Sequence, residues 1–196
     1  MPIERKLIVP GGYNAQTHPR VSSFAAQLDD QLTRLRKDVA DLEVKHLEWQ
    51  PHPGTNTIGM LLAHLAVVDL WWIRIAPYGL DPDKEGNDVT RKIIGIGMDD
   101  DGLPCPPDGR HAATLAGKSV AHYLDLLDKA RAESHRELHK WRDADLDSTF
   151  TRGDRIISRE WVLYHVLEHF AAHYGQILLL KHLMRDAGVL PSKADT

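Results

Sequence analysis

Four histidines in this chain have the neighbours and the spacing of metal ligands. His165, His169 and His173 follow one another at four-residue intervals within the apolar segment 161–180. Residues four apart share one face of a helix, so these imidazoles lie side by side if the segment is helical. His64 lies far upstream in a second apolar segment. Imidazoles that converge from two helices would make a transition-metal site, and three protein ligands on Zn²⁺ leave a fourth position for water or substrate.

The angular positions of these histidines place them at the borders of apolar helix faces. At about 100° per residue, His173 falls within the apolar arc of its helix, whereas His169 lies roughly 20° and His165 roughly 60° beyond the edge. His64 lies roughly 40° outside the arc of the upstream helix. Such borders suit a partly sheltered seam between helices, where buried imidazole nitrogens need partners. Geometry alone leaves two alternatives, a metal site or ordinary hydrogen-bonded histidines, and it leaves His165 as a substitute ligand or a supporting residue.

Few other residues near these histidines have a predicted role. Gln176 follows His173 by three residues and is placed to orient a ligand or a bound water. Glu168 is expected to be solvated, and Asp69, five residues after His64, is assigned no role. The remaining histidines with polar neighbours are expected to lie in solvent: His18, His46, His52, His111, His122, His135 and His139.

Composition and charge favour one soluble globular domain spanning residues 1–196. Hydrophobic residues make up 42% and charged residues 27% of the chain, which is ordinary for such a domain. The net charge of -4 disfavours a nucleic-acid-binding surface, which needs clustered lysine and arginine. The single cysteine, Cys105, excludes an internal disulfide, indicates a reducing compartment and is expected to have no catalytic part. Because the chain has no signal-peptide core and no run of ~18 uninterrupted apolar residues, we expect a cytoplasmic protein without a membrane partner.

The apolar periodicity predicts an all-α protein. A long irregular loop, 77–113, connects the second and third helices, with a short helix near 89–94 and room for a small hairpin. A polar connector, 143–154, precedes the last helix. Four long helices with one long crossover loop are typical of a four-helix bundle. The helices are predicted at about 20–46, 58–76, 114–141 and 158–185.

Two stretches resemble motifs of the DinB-like (DinB/YfiT) superfamily. Residues 169–176, His-Phe-Ala-Ala-His-Tyr-Gly-Gln, resemble its fourth-helix signature, in which two histidines four apart precede a Gly-Gln pair. Residues 53–65, Pro-Gly-Thr-Asn-Thr-Ile-Gly-Met-Leu-Leu-Ala-His-Leu, resemble its second-helix entry, where a capped turn leads to a single metal-binding histidine. Trp161 at the start of the fourth helix also fits. The resemblance spans most of the chain and implies a DinB-like four-helix bundle.

The resemblance implies a divalent metal, zinc or nickel, held by His64, His169 and His173 with open positions for water. Some members of the family have glutamate as the middle ligand, where this chain has His169. An all-imidazole site suits Zn, Ni or Co better than Mg or Ca. The additional His165 and the longer insertion between the second and third helices depart from the family pattern.

The resemblance also implies an activity. Characterised relatives include transferases and isomerases that use low-molecular-weight thiols such as mycothiol or bacillithiol, so a small-molecule thiol and an electrophile are the expected partners. A metal-dependent hydrolase and a non-catalytic metal-binding or stress-response protein are the alternatives. A di-iron carboxylate bundle needs paired Glu-x-x-His motifs, and the chain offers only one, Glu43–His46. Relatives often dimerise, and Trp71 or Tyr78 is expected to supply an exposed aromatic surface for a homodimer.

Overall fold

Four long helices form a bundle in the computed structural model, which describes residues 6–191. The α-helices are α1 (Pro19–Val39), α2 (Val44–Leu47), α3 (Ile58–Leu70), α4 (Asn87–Ile94), α5 (Val120–Leu138) and α6 (Arg159–Asp186). α3 packs against both α5 and α6, and α1 packs against the same two helices. The predicted all-α bundle with a long crossover between its second and third long helices is confirmed, and α4 is the short helix predicted within that crossover.

α3 is the core helix of the bundle. It begins at Thr57, whose hydroxyl accepts a hydrogen bond from the Met60 N–H at 3.1 Å. Gly59 lets α5 approach closely, because a Cβ at this position would lie 2.6 Å from the hydroxyl oxygen of Tyr123. All but two residues of α3 are buried, and His64 is one of the two that are half-buried. The packing therefore presents His64 at the margin of the core, as its angular position predicts.

One helical stretch among the described residues, Ile58–Tyr78, is long and apolar enough to cross a membrane by length and composition. Within the bundle, 89% of its most apolar window is buried by the rest of the protein. Core helices of compact domains pass the same test, so this stretch is only weak evidence for a membrane span. The cytoplasmic location stays a prediction.

The first long helix is shorter than predicted. The chain leaves α1 after Val39 and forms the separate turn α2, so a single helix reaching His46 is wrong. Lys181 of α6 donates to the main-chain carbonyl of Asp38 and pairs with the carboxylate of Asp41 at 3.3 Å. A cation here satisfies a carbonyl that has no partner within the helix. The contact of Lys181 thus stabilises the C-terminal end of α1. The local pattern of apolar residues could not predict this contact, because it comes from another helix.

The second and third long helices also differ from prediction at their ends. After α3 the chain stays helical as a π-helix, Trp71–Ile75, and then a 3₁₀ turn, Ala76–Tyr78, which extends past the predicted end at residue 76. The third helix begins at Val120, because Gly117 adopts a φ of 72° and separates it from an earlier 3₁₀ turn. Apolar periodicity identifies a buried face, and it does not distinguish these tighter and wider turns.

A two-stranded hairpin occupies the connector that was predicted to be a polar loop. β1 (Thr149–Arg152) pairs antiparallel with β2 (Arg155–Ser158), and Gly153 takes a φ of 59° in the turn between them. The long crossover, where the sequence leaves room for a small hairpin, contains no strand among its described residues. The sequence does contain a hairpin pattern here, because strand-forming threonine, phenylalanine and isoleucine flank a two-residue Gly-Asp turn in the connector. Ser158 then begins α6 by accepting a hydrogen bond from the Trp161 N–H at 3.1 Å.

Candidate metal centre

His64, His169 and His173 come together in the seam between α3 and α6. The Nε2 atom of His169 lies 3.1 Å from the Nε2 atom of His64 and 3.1 Å from that of His173. One ligand atom from each ring lies within 4.8 Å of the other two. All three residues are half-buried, so the core shelters one side of the cluster while solvent reaches the other. The structure therefore groups the three residues that the family resemblance implied.

Asp101 holds the ring of His64 from the long crossover. Its Oδ2 atom lies 2.8 Å from Nδ1 of His64, and its Oδ1 atom accepts the Leu103 N–H at 2.9 Å. A carboxylate only accepts hydrogen bonds, so Nδ1 of His64 carries a proton and Nε2, which faces the cluster, is the nitrogen that can bind a metal. Gly102 keeps this loop against α3, because a Cβ there would lie 3.0 Å from Cγ of Met60.

Gln176 holds the ring of His173 in the same way. Its Oε1 atom lies 2.8 Å from Nδ1 of His173, so this nitrogen donates and the Nε2 lone pair of the neutral ring faces the cluster. The residue therefore has the orienting position predicted from its spacing. The Nε2 atoms of His64 and His173 both face Nε2 of His169, which has at most one proton to donate. A bound cation would satisfy all three nitrogens at once.

The spacing and the chemistry of these nitrogens fit a metal ion. Two nitrogens bound tetrahedrally to Zn²⁺ at 2.0–2.1 Å lie about 3.3 Å apart. The two shortest separations in the cluster are 3.1 Å. Three imidazoles suit Zn, Cu, Fe and Ni, whereas Mg and Ca prefer oxygen ligands. Two of the three separations thus match those around a bound ion and the third is within 4.8 Å, so the cluster could bind a divalent transition metal.

Burial favours the uncharged form of the clustered rings. Desolvation, together with the smaller effects of the neighbouring His173, His64 and His165, lowers the pKa of His169 to about 3. Burial also lowers the pKa of His173, although the hydrogen bond to Gln176 opposes this effect. Neutral imidazole is the form that binds metals, so the site is ready for a cation at neutral pH.

His165 lies beside the cluster in an aromatic wall. Its ring centre is 5.8 Å from that of His169, and the ring stacks on Trp161 with centres 4.6 Å apart and planes 10° apart. The ring of Trp72 lies edge-on at 4.9 Å. The Nδ1 atom of His165 is 3.7 Å from the carboxylate of Glu168, which is more than half exposed, as expected for a solvated residue. His165 is thus outside the group of close ligand atoms among the described residues.

Sequence reasoning missed Asp101. The residue belongs to an acidic triplet, 99–101, in the crossover, and 37 positions separate it from His64. No periodicity links the two residues, since only the path of the loop brings them together. Only an indirect indication of this residue is present in the sequence. The second ring nitrogen of a metal-binding histidine usually donates a hydrogen bond to a carboxylate or a carbonyl, so a partner of this kind could be expected for His64.

Three predictions about exposure are wrong. His46 is 5% exposed, because its ring closes a hydrogen-bonded turn at the start of α2. His111 is largely buried, with Nδ1 2.8 Å from the hydroxyl of Thr57. Trp71 is 5% exposed and so offers no free aromatic surface for a dimer, whereas Tyr78 is 46% exposed. The burial of His111 and Trp71 comes from the tertiary fold, because neighbours in sequence do not report what packs above a side chain, whereas the burial of His46 comes with its local turn.

Asp69 belongs to a separate buried ion pair. Its Oδ2 atom lies 3.1 Å from Nε of Arg131, and its Oδ1 atom accepts the hydroxyl of Ser134 at 2.9 Å. Asp69 is 3% and Arg131 5% exposed. The pair connects α3 to α5 inside the bundle, away from the histidine cluster.

A family model of the DinB superfamily matches residues 13–177, a segment that contains all three clustered histidines and Gln176. The chain belongs to the DinB superfamily. The resemblance carried by residues 53–65 and 169–176 is thereby confirmed at the level of the family. No curated protein matches this DinB-superfamily chain.

Two solved structures share the fold of this DinB-superfamily chain. A conserved protein from Enterococcus faecalis aligns with a TM-score of 0.59 and 18% identity, over 82% of this chain and 94% of its own. A DinB-like protein from Bacillus cereus aligns with a TM-score of 0.51 and 20% identity, over 87% of this chain and 94% of its own. At these identities the likeness establishes the fold alone.

Proposed function

We propose that this DinB-superfamily chain is a divalent-metal-dependent enzyme that transfers or isomerises an electrophilic substrate with the help of a small-molecule thiol. His64, His169 and His173 would hold the metal, which is zinc or nickel. The observation that carries the proposal is the arrangement of three imidazoles in which Nε2 of His169 lies 3.1 Å from Nε2 of both His64 and His173. The second nitrogens of the latter two rings are held by hydrogen-bond partners.

The open side of the cluster supports an enzyme over a structural metal site. A bound divalent metal lowers the pKa of a coordinating thiol so that thiolate is present at neutral pH. Three protein ligands leave room for such a thiol, whereas a structural site commonly has four. His165, the natural fourth ligand, is engaged with Trp161 and lies outside the close group of ligand atoms. This placement disfavours the non-catalytic alternative.

The residues around the cluster have defined parts in the proposed reaction. Asp101 and Gln176 keep two rings in the tautomer that binds metal. The thiol loses its proton to water, its sulfur forms a bond to the electrophilic carbon, and the leaving group departs with its electron pair. In an isomerisation the sulfur adds to a double bond and is then expelled, so the thiol is recovered.

Metal analysis of purified variants tests the site. Wild type is expected to hold one equivalent of metal, and His64→Ala, His169→Ala and His173→Ala are each expected to lose it. His165→Ala is the matched control, since it removes an imidazole from the same helix face and should retain the metal. Retention of full metal by all four variants would overturn the proposed ligand set.

A thiol-dependence assay tests the activity. Wild type with metal is expected to consume an electrophile such as 1-chloro-2,4-dinitrobenzene only when a thiol is supplied, and the metal-free protein should show background rates. Consumption of ester substrates without thiol would favour the hydrolase alternative. Turnover by metal-free protein would contradict the metal-dependent mechanism.

A further inference from the structure

Arg152 is the last residue of β1, and its side chain lies over the rings of two tryptophans. The carbon at the centre of its guanidinium group lies 4.7 Å from the ring centre of Trp71 and 5.0 Å from that of Trp72. Both tryptophans are buried, with 5% and 8% of their surfaces exposed. Cation–π contacts with buried rings hold the guanidinium group in place. The side chain is thus positioned although the hairpin itself lies at the surface.

The charge of Arg152 is not balanced by a carboxylate. Among the described residues, no aspartate or glutamate oxygen lies within ion-pairing distance of its guanidinium group, and no hydrogen bond from that group is formed. The partner of Arg152 in the hairpin register is another cation, Arg155. Burial and this like charge lower the pKa of Arg152. The contacts with the tryptophan rings use none of the N–H donors of the guanidinium group. The planar arrangement of these donors suits a bidentate pair of hydrogen bonds to a carboxylate.

The aromatic wall connects this cation to the metal centre. The ring of Trp72, which contacts the guanidinium group of Arg152, also contacts the ring of His165, with ring centres 4.9 Å apart. The centre of the His165 ring in turn lies 5.8 Å from that of His169. Burial lowers the pKa of His165, and the positive charge of Arg152 makes a smaller contribution in the same direction. Trp161 completes the wall and is 38% exposed, so it offers an apolar surface to the solvent side. An extended molecule bound at the histidine cluster would lie along this wall with its far end near Arg152.

We propose that Arg152 binds a carboxylate group of the substrate whose reacting atom lies at the histidine cluster. This inference rests on the proposed function and adds a substrate class to it, namely an acid with a carbon chain that spans the aromatic wall. The carboxylate belongs either to the thiol or to the electrophile, and both sources have the same chemistry. Arg152 is a binding residue in this scheme and takes no part in bond making.

Thiol binding to cobalt-substituted protein tests the first source. A sulfur-to-cobalt absorption band reports binding without turnover. Dissociation constants are measured for 3-mercaptopropionate, 6-mercaptohexanoate and 8-mercaptooctanoate, each beside the alcohol of the same length. Wild type should prefer one acid over its alcohol by roughly 10-fold, the value of a good charge-assisted hydrogen bond. Arg152→Gln should remove this preference, Arg152→Lys should retain part of it, and Arg155→Gln is the matched control that should keep it.

Dicarboxylate binding tests the second source. Succinate and succinamide are titrated into cobalt-substituted protein with saturating 2-mercaptoethanol, and tryptophan fluorescence reports occupancy of the wall. A preference for succinate that Arg152→Gln removes and Arg155→Gln keeps would assign the carboxylate to the electrophile.

The outcomes separate this inference from the proposed function. A cobalt–sulfur band with no acid preference in either experiment overturns the role of Arg152 and leaves the proposed function standing. Absence of the band with every thiol overturns the proposed function. An acid preference that survives in Arg152→Gln shows that another group binds the carboxylate and also overturns the inference. The far-ultraviolet circular dichroism of each variant verifies that the bundle is intact.

Discussion

Replacement of Asp101 by asparagine tests whether this carboxylate sets the tautomer of His64. The two carboxylate oxygens each accept one hydrogen bond, from Nδ1 of His64 at 2.8 Å and from the Leu103 N–H at 2.9 Å. Asparagine has the same shape but only one oxygen. If that oxygen serves Leu103, the amide N–H₂ faces His64 and favours the tautomer whose Nε2 carries a proton. If it serves His64, two N–H groups oppose each other in a buried loop.

The expected magnitude follows from either arrangement. Loss of an outer partner of a metal-binding histidine typically weakens metal affinity by about 10- to 100-fold, which corresponds to about 1.4–2.8 kcal/mol. Asp101→Asn should therefore raise the dissociation constant for zinc by that factor. Competition with a chromophoric zinc chelator at pH 7.5 measures it. Asp99→Asn is the matched control, since Asp99 belongs to the same acidic triplet, bonds Asn87 and should leave the affinity unchanged.

Two results would refute this reasoning. An Asp101→Asn protein that binds zinc as tightly as wild type would show that the carboxylate does not control the ring of His64. An equal loss in Asp99→Asn would attribute the effect to the loop as a whole. The thermal midpoint of each metal-free variant is recorded beside the affinity, because a loosened crossover would lower both quantities together.

Two further predictions concern pH and the buried ion pair. The pKa of His169 is lowered to about 3 in the folded protein, so the unfolded chain takes up a proton first as the pH falls below ~6.5, and the metal-free protein should lose stability between pH ~6.5 and ~3. Urea unfolding at several pH values should show a smaller loss of stability for His169→Gln than for wild type. An equal loss in the two proteins would contradict the assignment of this pH dependence to His169. Asp69→Ala removes the closer carboxylate of the buried Arg131, leaves only that of Asp29 at 4.0 Å, and should lower the free energy of unfolding by about 3 kcal/mol, the low end of the range for a broken buried pair. Asp30→Ala, which breaks the exposed pair with Arg34, should cost at most about 1 kcal/mol in the same urea titration, and similar losses for both variants would show that burial of the pair is unimportant.

The sequence was informative where side chains repeat with the period of a helix. The four long helices, the approximate bounds of α6 and the border positions of His64, His169 and His173 all follow from that period. Gln176 could be predicted because it lies on the same helix, one turn after its partner. The helix faces that pack in the bundle therefore carry most of what can be read without a structure.

The features that escaped prediction depend on contacts between distant segments. Asp101 reaches His64 only because the crossover folds back on α3. Lys181 accounts for the end of α1 from the opposite end of the chain. The burial of His111 and Trp71 likewise comes from segments that cover them. Local propensity has no information about such partners, so these positions are known only once the path of the chain is known.

The placement of the three histidines on two helices has a mechanical consequence. His64 and His169 are 105 positions apart, and the segment between them includes α4, α5 and the hairpin. A cation held by both would act as a removable cross-link that closes this large loop. A permanent cross-link of that span stabilises a fold by roughly 4–5 kcal/mol in the chain-entropy model. Loss of the ion would then release the whole middle of the chain from one shared anchor, so metal supply would govern how long the protein resists unfolding and proteolysis.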